Sequence, residues 1–165
     1  MVTMITTFFG IGRLRPAPGT WGSAAAVLLA VLMAEAGAGW FLPVACLLAT
    51  VLGFWAVPLA IAGSADKDPS EIVIDEVAGQ WLAMCFTVIP LWRHGGSILD
   101  AWPAFAVPFL LFRLFDIWKP WLVGRADRRG DAVGVMLDDL WAGLFAGVVS
   151  MILAGLYHGL LEPML

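Results

Sequence analysis

Charge is what this chain has least of. Only 13% of its 165 residues are Asp, Glu, Lys or Arg, where soluble domains carry about 25%. With 61% hydrophobic residues and a mean hydropathy of +0.90, the scarcity excludes a water-soluble globule and reads as an integral membrane protein. Basic runs with interleaved aromatics are also missing, and the net charge is −4, which argues against nucleic acid as a partner. The two cysteines, Cys46 and Cys85, sit in apolar segments without CxxC spacing or a nearby His, so they read as free thiols. Neither GxSxG nor CxxxxxR occurs, which removes two familiar covalent hydrolase chemistries. No stretch is polar enough to form a separate soluble part, so residues 1–165 read as a single membrane-embedded domain.

What is there is a succession of apolar runs. The first, Trp21 to about Ala36, follows a Pro/Gly-rich lead holding Arg13 and Arg15. That lead is too structured for the first region of a cleaved signal. The run is the shortest, and a tilted or re-entrant path is open to it. Then come Trp40 to Gly63, with Pro43 and Pro58 as expected kinks, Ile72 to Trp92, about Ala101 to Val123, and Val133 to near Leu161. Runs of about 20 residues at 1.5 Å each match a hydrocarbon core of about 30 Å. The expected fold is all-α, an integral membrane helical bundle of four to five transmembrane or re-entrant helices.

Cations set the orientation. With the N-terminus inside, five crossings put Arg13, Arg15, Lys67, Lys119, Arg125, Arg128 and Arg129 on the cytoplasmic side. Arg93 falls outside and Arg113 within a span, so seven of the nine cations follow the rule. His94, His158 and Glu162 are then expected on the far side.

This topology gathers the acids although it was built without them. Glu71, Asp75 and Glu76 open the third run, Asp116 closes the fourth, and Asp138 and Asp139 open the fifth. All six carboxylates reach one membrane depth, at the inner interface. Ionisable groups within a span cost about 2.5–3.5 kcal/mol each at its centre. A cluster of acids therefore calls for a counter-charge, and Mg²⁺, a hard cation that prefers oxygen ligands, is the expected cofactor. On one helix, Glu71 and Asp75 would share a face, with Glu76 about 100° away. Asp138 and Asp139 point in different directions, which predicts divided roles. Arg113 and Lys119 flank Asp116 by one turn on either side, as substrate-facing cations or, for Arg113 and Asp116, as a structural ion pair. Gly143 and Gly147 form a GxxxG whose default reading is helix packing. The nine tryptophans read mostly as interface and packing residues.

Four strings carry a resemblance. APGTWGS (Ala17–Ser23), EIVIDEVAGQW (Glu71–Trp81), FRLFDIWKPW (Phe112–Trp121) and GVMLDDLWAG (Gly134–Gly143) occur in an order and spacing similar to the phosphatidylglycerophosphatase A family, along almost the whole chain. The resemblance implies a Mg²⁺-dependent phosphatase of the bacterial inner membrane, facing the cytoplasm. Its substrate would be a phospholipid, phosphatidylglycerophosphate, and its product phosphatidylglycerol. Asp75, Glu76, Asp116, Asp138 and Asp139 would then be catalytic. Thr20 and Ser23 of the N-terminal motif, with Arg113 and Lys119, would face the substrate. A dianionic phosphate is repelled by bare carboxylates, so Mg²⁺ would mediate between them. An attacking Asp and a metal-activated water both remain open, with water preferred. The competing reading is a cation transporter or channel. It would need polar groups through the whole membrane, and the outer halves of the runs are nearly all apolar.

Overall fold

The computed structural model describes residues 1–95 and 100–161, with side chains described through Gly159. Glu162, expected on the far side, lies outside the described residues. Short α1 (Val2–Thr6) and a 3₁₀ turn (Ile11–Arg13) lead into α2 (Pro18–Glu35). A second 3₁₀ turn (Gly39–Phe41) precedes α3 (Leu42–Ala60), followed by α4 (Ile74–His94) and α5 (Pro103–Trp118). Short α6 (Trp121–Asp127), long α7 (Ala132–Leu156) and a π turn (Tyr157–Leu161) complete the order. The fold is an all-α membrane bundle. Four helical stretches, Pro18–Glu35, Gly39–Ala60, Ile74–His94 and Ala132–Gly159, are long and apolar enough to cross a bilayer.

Small residues set the directions. Along α2, Gly22, Ser23, Ala26, Ala30 and Ala34 form a buried stripe at helical spacing. That stripe lies on α4 in parallel register: Gly22 meets Val73, and Trp81 Nε1 donates to the Ala26 carbonyl at 2.8 Å. α3 runs the other way, Gly39 against Trp92 and Gly53 near Ile74. α5 is also antiparallel to α4, since Phe112 packs near Gly79 while Thr87 Oγ1 donates to the Ala104 carbonyl at 2.6 Å. α7 returns parallel to α4, with Gly143 on Gly79 and Gly147 on Phe86. Thus α2, α4 and α7 leave one end of the bundle, and α3 and α5 come back to it. The N-terminus belongs to that end, where the Val73 N–H donates to the Thr6 carbonyl at 2.8 Å.

α4 is the hub, enclosed by α2, α3, α5 and α7. Leu28, Leu47, Val51, Leu110 and Ile152 point outward and are exposed, as an apolar perimeter suited to lipid requires. Tryptophan follows the expected division: Trp102 and Trp121 are exposed, while Trp81 is buried in the core.

Three expectations are corrected. The fourth apolar run is not continuous to Val123; α5 stops at Trp118, Lys119 takes a left-handed conformation (φ 51°), and α6 begins after Pro120. Proline has no N–H to continue the ladder and disfavours helical geometry in the residue before it, which explains the break. Pro43 lies in the first turn of α3, where its missing N–H costs nothing, so it starts the helix and does not kink it. Glu71 precedes α4, which begins at Ile74, so it shares no helical face with Asp75.

Candidate functional site

The closest helix crossing builds the site. A Cβ on Gly79 would lie 2.4 Å from the Asp139 carbonyl oxygen, and one on Gly143 would lie 2.2 Å from that of Gly79. With nothing but hydrogen at both positions, the α4 and α7 backbones touch. Asp139, two turns into α7, is thereby pressed against the first turn of α4, which carries Asp75 and Glu76. Acidic residues in a first turn also favour the helix dipole.

Asp75, Glu76 and Asp139 each offer a carboxylate oxygen, and the three oxygens lie within 4.8 Å of one another. Asp75 and Asp139 are buried and Glu76 is half-buried. At an effective dielectric of 20, each ionised pair at 4.8 Å repels by roughly 3.5 kcal/mol. Glu76 Oε2 and Asp139 Oδ1 are buried without any hydrogen-bond partner. Oxygens sharing one octahedral Mg²⁺ lie about 3.0 Å apart when adjacent and about 4.2 Å when opposite, so the three would draw together to hold one ion. The donor set, the spacing and the two orphaned oxygens fit a small, hard dication.

Cations line the neighbouring side. Arg113 on α5 pairs with Asp116 (Nη1 to Oδ2, 2.7 Å), and the same nitrogen reaches Ser23 Oγ on α2 at 3.5 Å. The Ser23 hydroxyl donates to the Gly19 carbonyl at 2.8 Å. Gly19 is itself a cradle, because a Cβ there would sit 1.9 Å from Glu76 Oε1. Thr20, half-buried, occupies the same first turn of α2. Asp116 adjoins both Glu76 and Asp139 but is outside the tight trio. The ion pair anticipated between Arg113 and Asp116 is therefore present, and it borders the trio.

Asp138 turns away from Asp139, as adjacent residues on a helix do. Its Oδ2 accepts from Lys119 Nζ at 3.0 Å, and its Oδ1 accepts the Asp139 N–H at 3.0 Å. Lys119 also pairs with Asp127 of α6. Burial alone would lower the Lys119 pKa, but the hydrogen bonds to Asp127 and Asp138 outweigh it and raise the value. Nearby Asp68, in the α3–α4 loop, is pushed upward by burial, against the opposing pull of Lys119. The left-handed turn at Lys119 is what swings its side chain between α6 and α7.

Glu71 stands apart. It is exposed and meets Arg13 at 3.9 Å (Oε2 to Nε). Arg129 pairs with Asp131, whose side chain also accepts the Gly134 N–H at 2.7 Å and caps α7. These contacts, Arg129 first and then Gly134, lower the Asp131 pKa. His94 closes α4 at the end opposite the acids.

Sequence reasoning passed over Gln80. It is fully buried one turn after Glu76, and neither Oε1 nor Nε2 has a partner. Leaving such an amide unpaired costs about 1–3 kcal/mol per group, so its retention points to use. The available signal was its four-residue spacing from Glu76 within an apolar run.

The chain is 33% identical over 150 residues to phosphatidylglycerophosphatase A of Haemophilus influenzae, covering 90% of this chain and 85% of that protein. It is 30% identical over 156 residues to the Escherichia coli phosphatidylglycerophosphatase A, covering 90% and 81%. A Bacteroides thetaiotaomicron protein named as a candidate phosphatidylinositol-3-phosphatase is 33% identical over 151 residues, covering 88% and 89%. No solved structure matches. The family model for phosphatidylglycerophosphatase A matches residues 4–154, a span that takes in α2 to α6, all but the last two residues of α7, and every acid at their meeting point. By that match the chain belongs to the phosphatidylglycerophosphatase A family.

Proposed function

We propose that residues 1–165 act as one membrane-embedded, Mg²⁺-dependent phosphatase that converts phosphatidylglycerophosphate into phosphatidylglycerol and inorganic phosphate. Family membership and the names of two relatives support the reaction class. The observation that carries the reading is the buried trio Asp75, Glu76 and Asp139, with two orphaned oxygens, bordered by the Arg113–Asp116 pair. Asp75, Glu76 and Asp139 would hold Mg²⁺. When bound, the ion supplies positive charge to the phosphoryl oxygens and a lowered pKa to water.

The chain's own residues do the rest. Arg113, pinned by Asp116 and with its Nε unpartnered, turns a guanidinium toward a phosphoryl oxygen. Ser23 accepts from Arg113 and helps aim it, and would itself reach the phosphate only on releasing the Gly19 carbonyl, while Thr20 of the same turn offers a second hydroxyl. Asp116 has one oxygen held by Arg113 and uses the other to take a proton from the attacking water. As the water oxygen bonds to phosphorus, the ester P–O bond breaks, and the departing alcohol takes a proton from solvent at the interface. Asp138 holds Lys119 at the border of the site, outside the trio, where the ammonium would turn to the phosphate by giving up one of its two carboxylate partners. A dianionic substrate would thus meet Arg113 at its edge, beside the carboxylates that would hold the metal.

Orientation follows from charge: the acidic end faces the cytoplasm of the inner membrane, with the N-terminus and the cationic loops. The Bacteroides relative, at the same identity as the Haemophilus one, carries a different headgroup in its name. The phosphate monoester of a glycerophospholipid is the shared feature, and phosphatidylglycerophosphate is the headgroup we assign. The test is phosphate release from that lipid and from phosphatidylinositol 3-phosphate by detergent-purified protein, with Mg²⁺ and with EDTA. Turnover of the first that needs Mg²⁺ and collapses in Asp75→Asn and Asp139→Asn supports the assignment. A folded protein that binds Mg²⁺ and hydrolyses neither lipid refutes it.

A further inference from the structure

Between α2 and α5 lies an almost wholly apolar groove of about 390 Å³, within the usual range of small-molecule sites. Ala24, Val27 and Val31 of α2 form one wall; Trp102, Ala106 and Phe109 line the other. The two helices are antiparallel, so Ala24 and Phe109 mark one end of the groove, Val27 and Ala106 its middle, and Val31 and Trp102 its far end. Ala24 directly follows Ser23, and Phe109 lies one turn before Arg113. The groove therefore begins beneath the Ser23–Arg113 contact at the edge of the acid trio. From Ala24 to Val31 it descends about 10 Å, most of the roughly 15 Å depth of one leaflet's hydrocarbon.

We infer that this groove is the slot for one acyl chain of the phosphate-bearing lipid. The inference rests on the site being a lipid phosphatase. A lipid whose phosphate meets Arg113 has its chains directed into the leaflet, which is the direction the groove takes. Elsewhere on these helices the outward residues are large and exposed, Leu28 on α2 and Leu110 on α5. Small Ala24 and Ala106 hollow the surface on this line, below the cation. A slot joined to the phosphate site adds chain burial to the binding of a reacting headgroup, and ordinary surrounding lipid would have no such link.

The experiment fills the slot. Ala106→Trp should raise KM for long-chain phosphatidylglycerophosphate about tenfold, the equivalent of roughly two lost methylene contacts. It should leave turnover of the water-soluble deacylated substrate unchanged. Leu110→Trp, which places the same indole ring outside the groove, should change neither. An unchanged long-chain KM in Ala106→Trp, or equal losses on both substrates, would overturn the slot. A second arm needs no turnover: a diacylglycerol phosphate with a diazirine in its acyl chain is photolysed with the full-length protein in detergent. Crosslinks at Val27 and Ala106 that unlabelled lipid phosphate displaces, and diacylglycerol does not, support the slot. Equal displacement by diacylglycerol marks ordinary boundary lipid and refutes it. If wild type hydrolyses neither substrate, the phosphatase assignment fails, and the crosslinking pattern still decides the slot.

Discussion

Asp138 and Asp139 are consecutive, yet one meets a lysine and the other meets two carboxylates. Asparagine at 139 removes a ligand from the trio, and we expect kcat/KM to fall about 100-fold or more, with Mn²⁺ binding followed by electron paramagnetic resonance lost as well. Asparagine at 138 should leave Mn²⁺ binding in place while lowering thermal stability, because Lys119 loses a buried partner. Equal loss of metal binding in both variants would sink this division. Gln80 calls for a different test. Gln80→Leu removes two orphaned polar atoms from the core, so the melting temperature should hold or rise. Activity should nevertheless fall about 10-fold or more if the amide serves the site. A stable variant with full activity would leave Gln80 without a role. The divergence of 138 and 139 was legible from helical spacing alone. Gln80 was not, because one amide in an apolar run looks ordinary until burial and the lack of a partner are known.

At the level of helices, the α4–α7 crossing decides whether a site exists. Gly79→Ala would place a methyl 2.4 Å from the Asp139 carbonyl oxygen, in contact with backbone that cannot swing aside. We expect a loss of about 1–3 kcal/mol in stability and a larger loss in Mn²⁺ affinity, since the helices part where the acids meet. Weakened folding with undiminished affinity would separate the crossing from the site. The start of α7 offers a pH test. Asp131 has a lowered pKa in the fold, so its contribution is present above the ordinary value of 3.8 and is lost as pH falls through the lowered one. Asp131→Ala should therefore melt earlier than wild type near neutrality, and the gap should close in acid. The GxxxG signal foretold tight packing without naming the partner, which is Gly79 in the same chain. Glu71 misled the sequence reading because Val73 caps α4 without a side-chain bond, leaving no sign of where the helix begins. Pro120 was a usable stop signal inside the fourth run, overlooked because the residues beyond it are also apolar.

Across the whole molecule, the clustered acids lie at one end while the perimeter is apolar, which suits interfacial chemistry better than a path for ions. Orientation is open to single-cysteine labelling in a chain lacking Cys46 and Cys85. Ser70→Cys should react only from the cytoplasmic side and Gly95→Cys only from the other. The reverse pattern would contradict the cation rule here. The alternation expected of five successive runs is present, since α2, α4 and α7 leave the same end and α3 and α5 return to it; the cations bear only on which side of the membrane that end faces.

The return helix has a consequence for the surrounding bilayer. α5 has 16 residues, about 24 Å of helix, where a hydrocarbon core measures about 30 Å. If α5 crosses the hydrocarbon, the shortfall can be met by local thinning, which costs fractions of a kcal/mol per Å, as well as by snorkelling of flanking residues. The thinned annulus would lie beside Asp116 and the α2–α5 groove, drawing phosphate headgroups down toward the carboxylates. Membrane elasticity would then bear on the proposed turnover. In vesicles of matched headgroup and increasing acyl length, phosphate release should decline as the bilayer thickens.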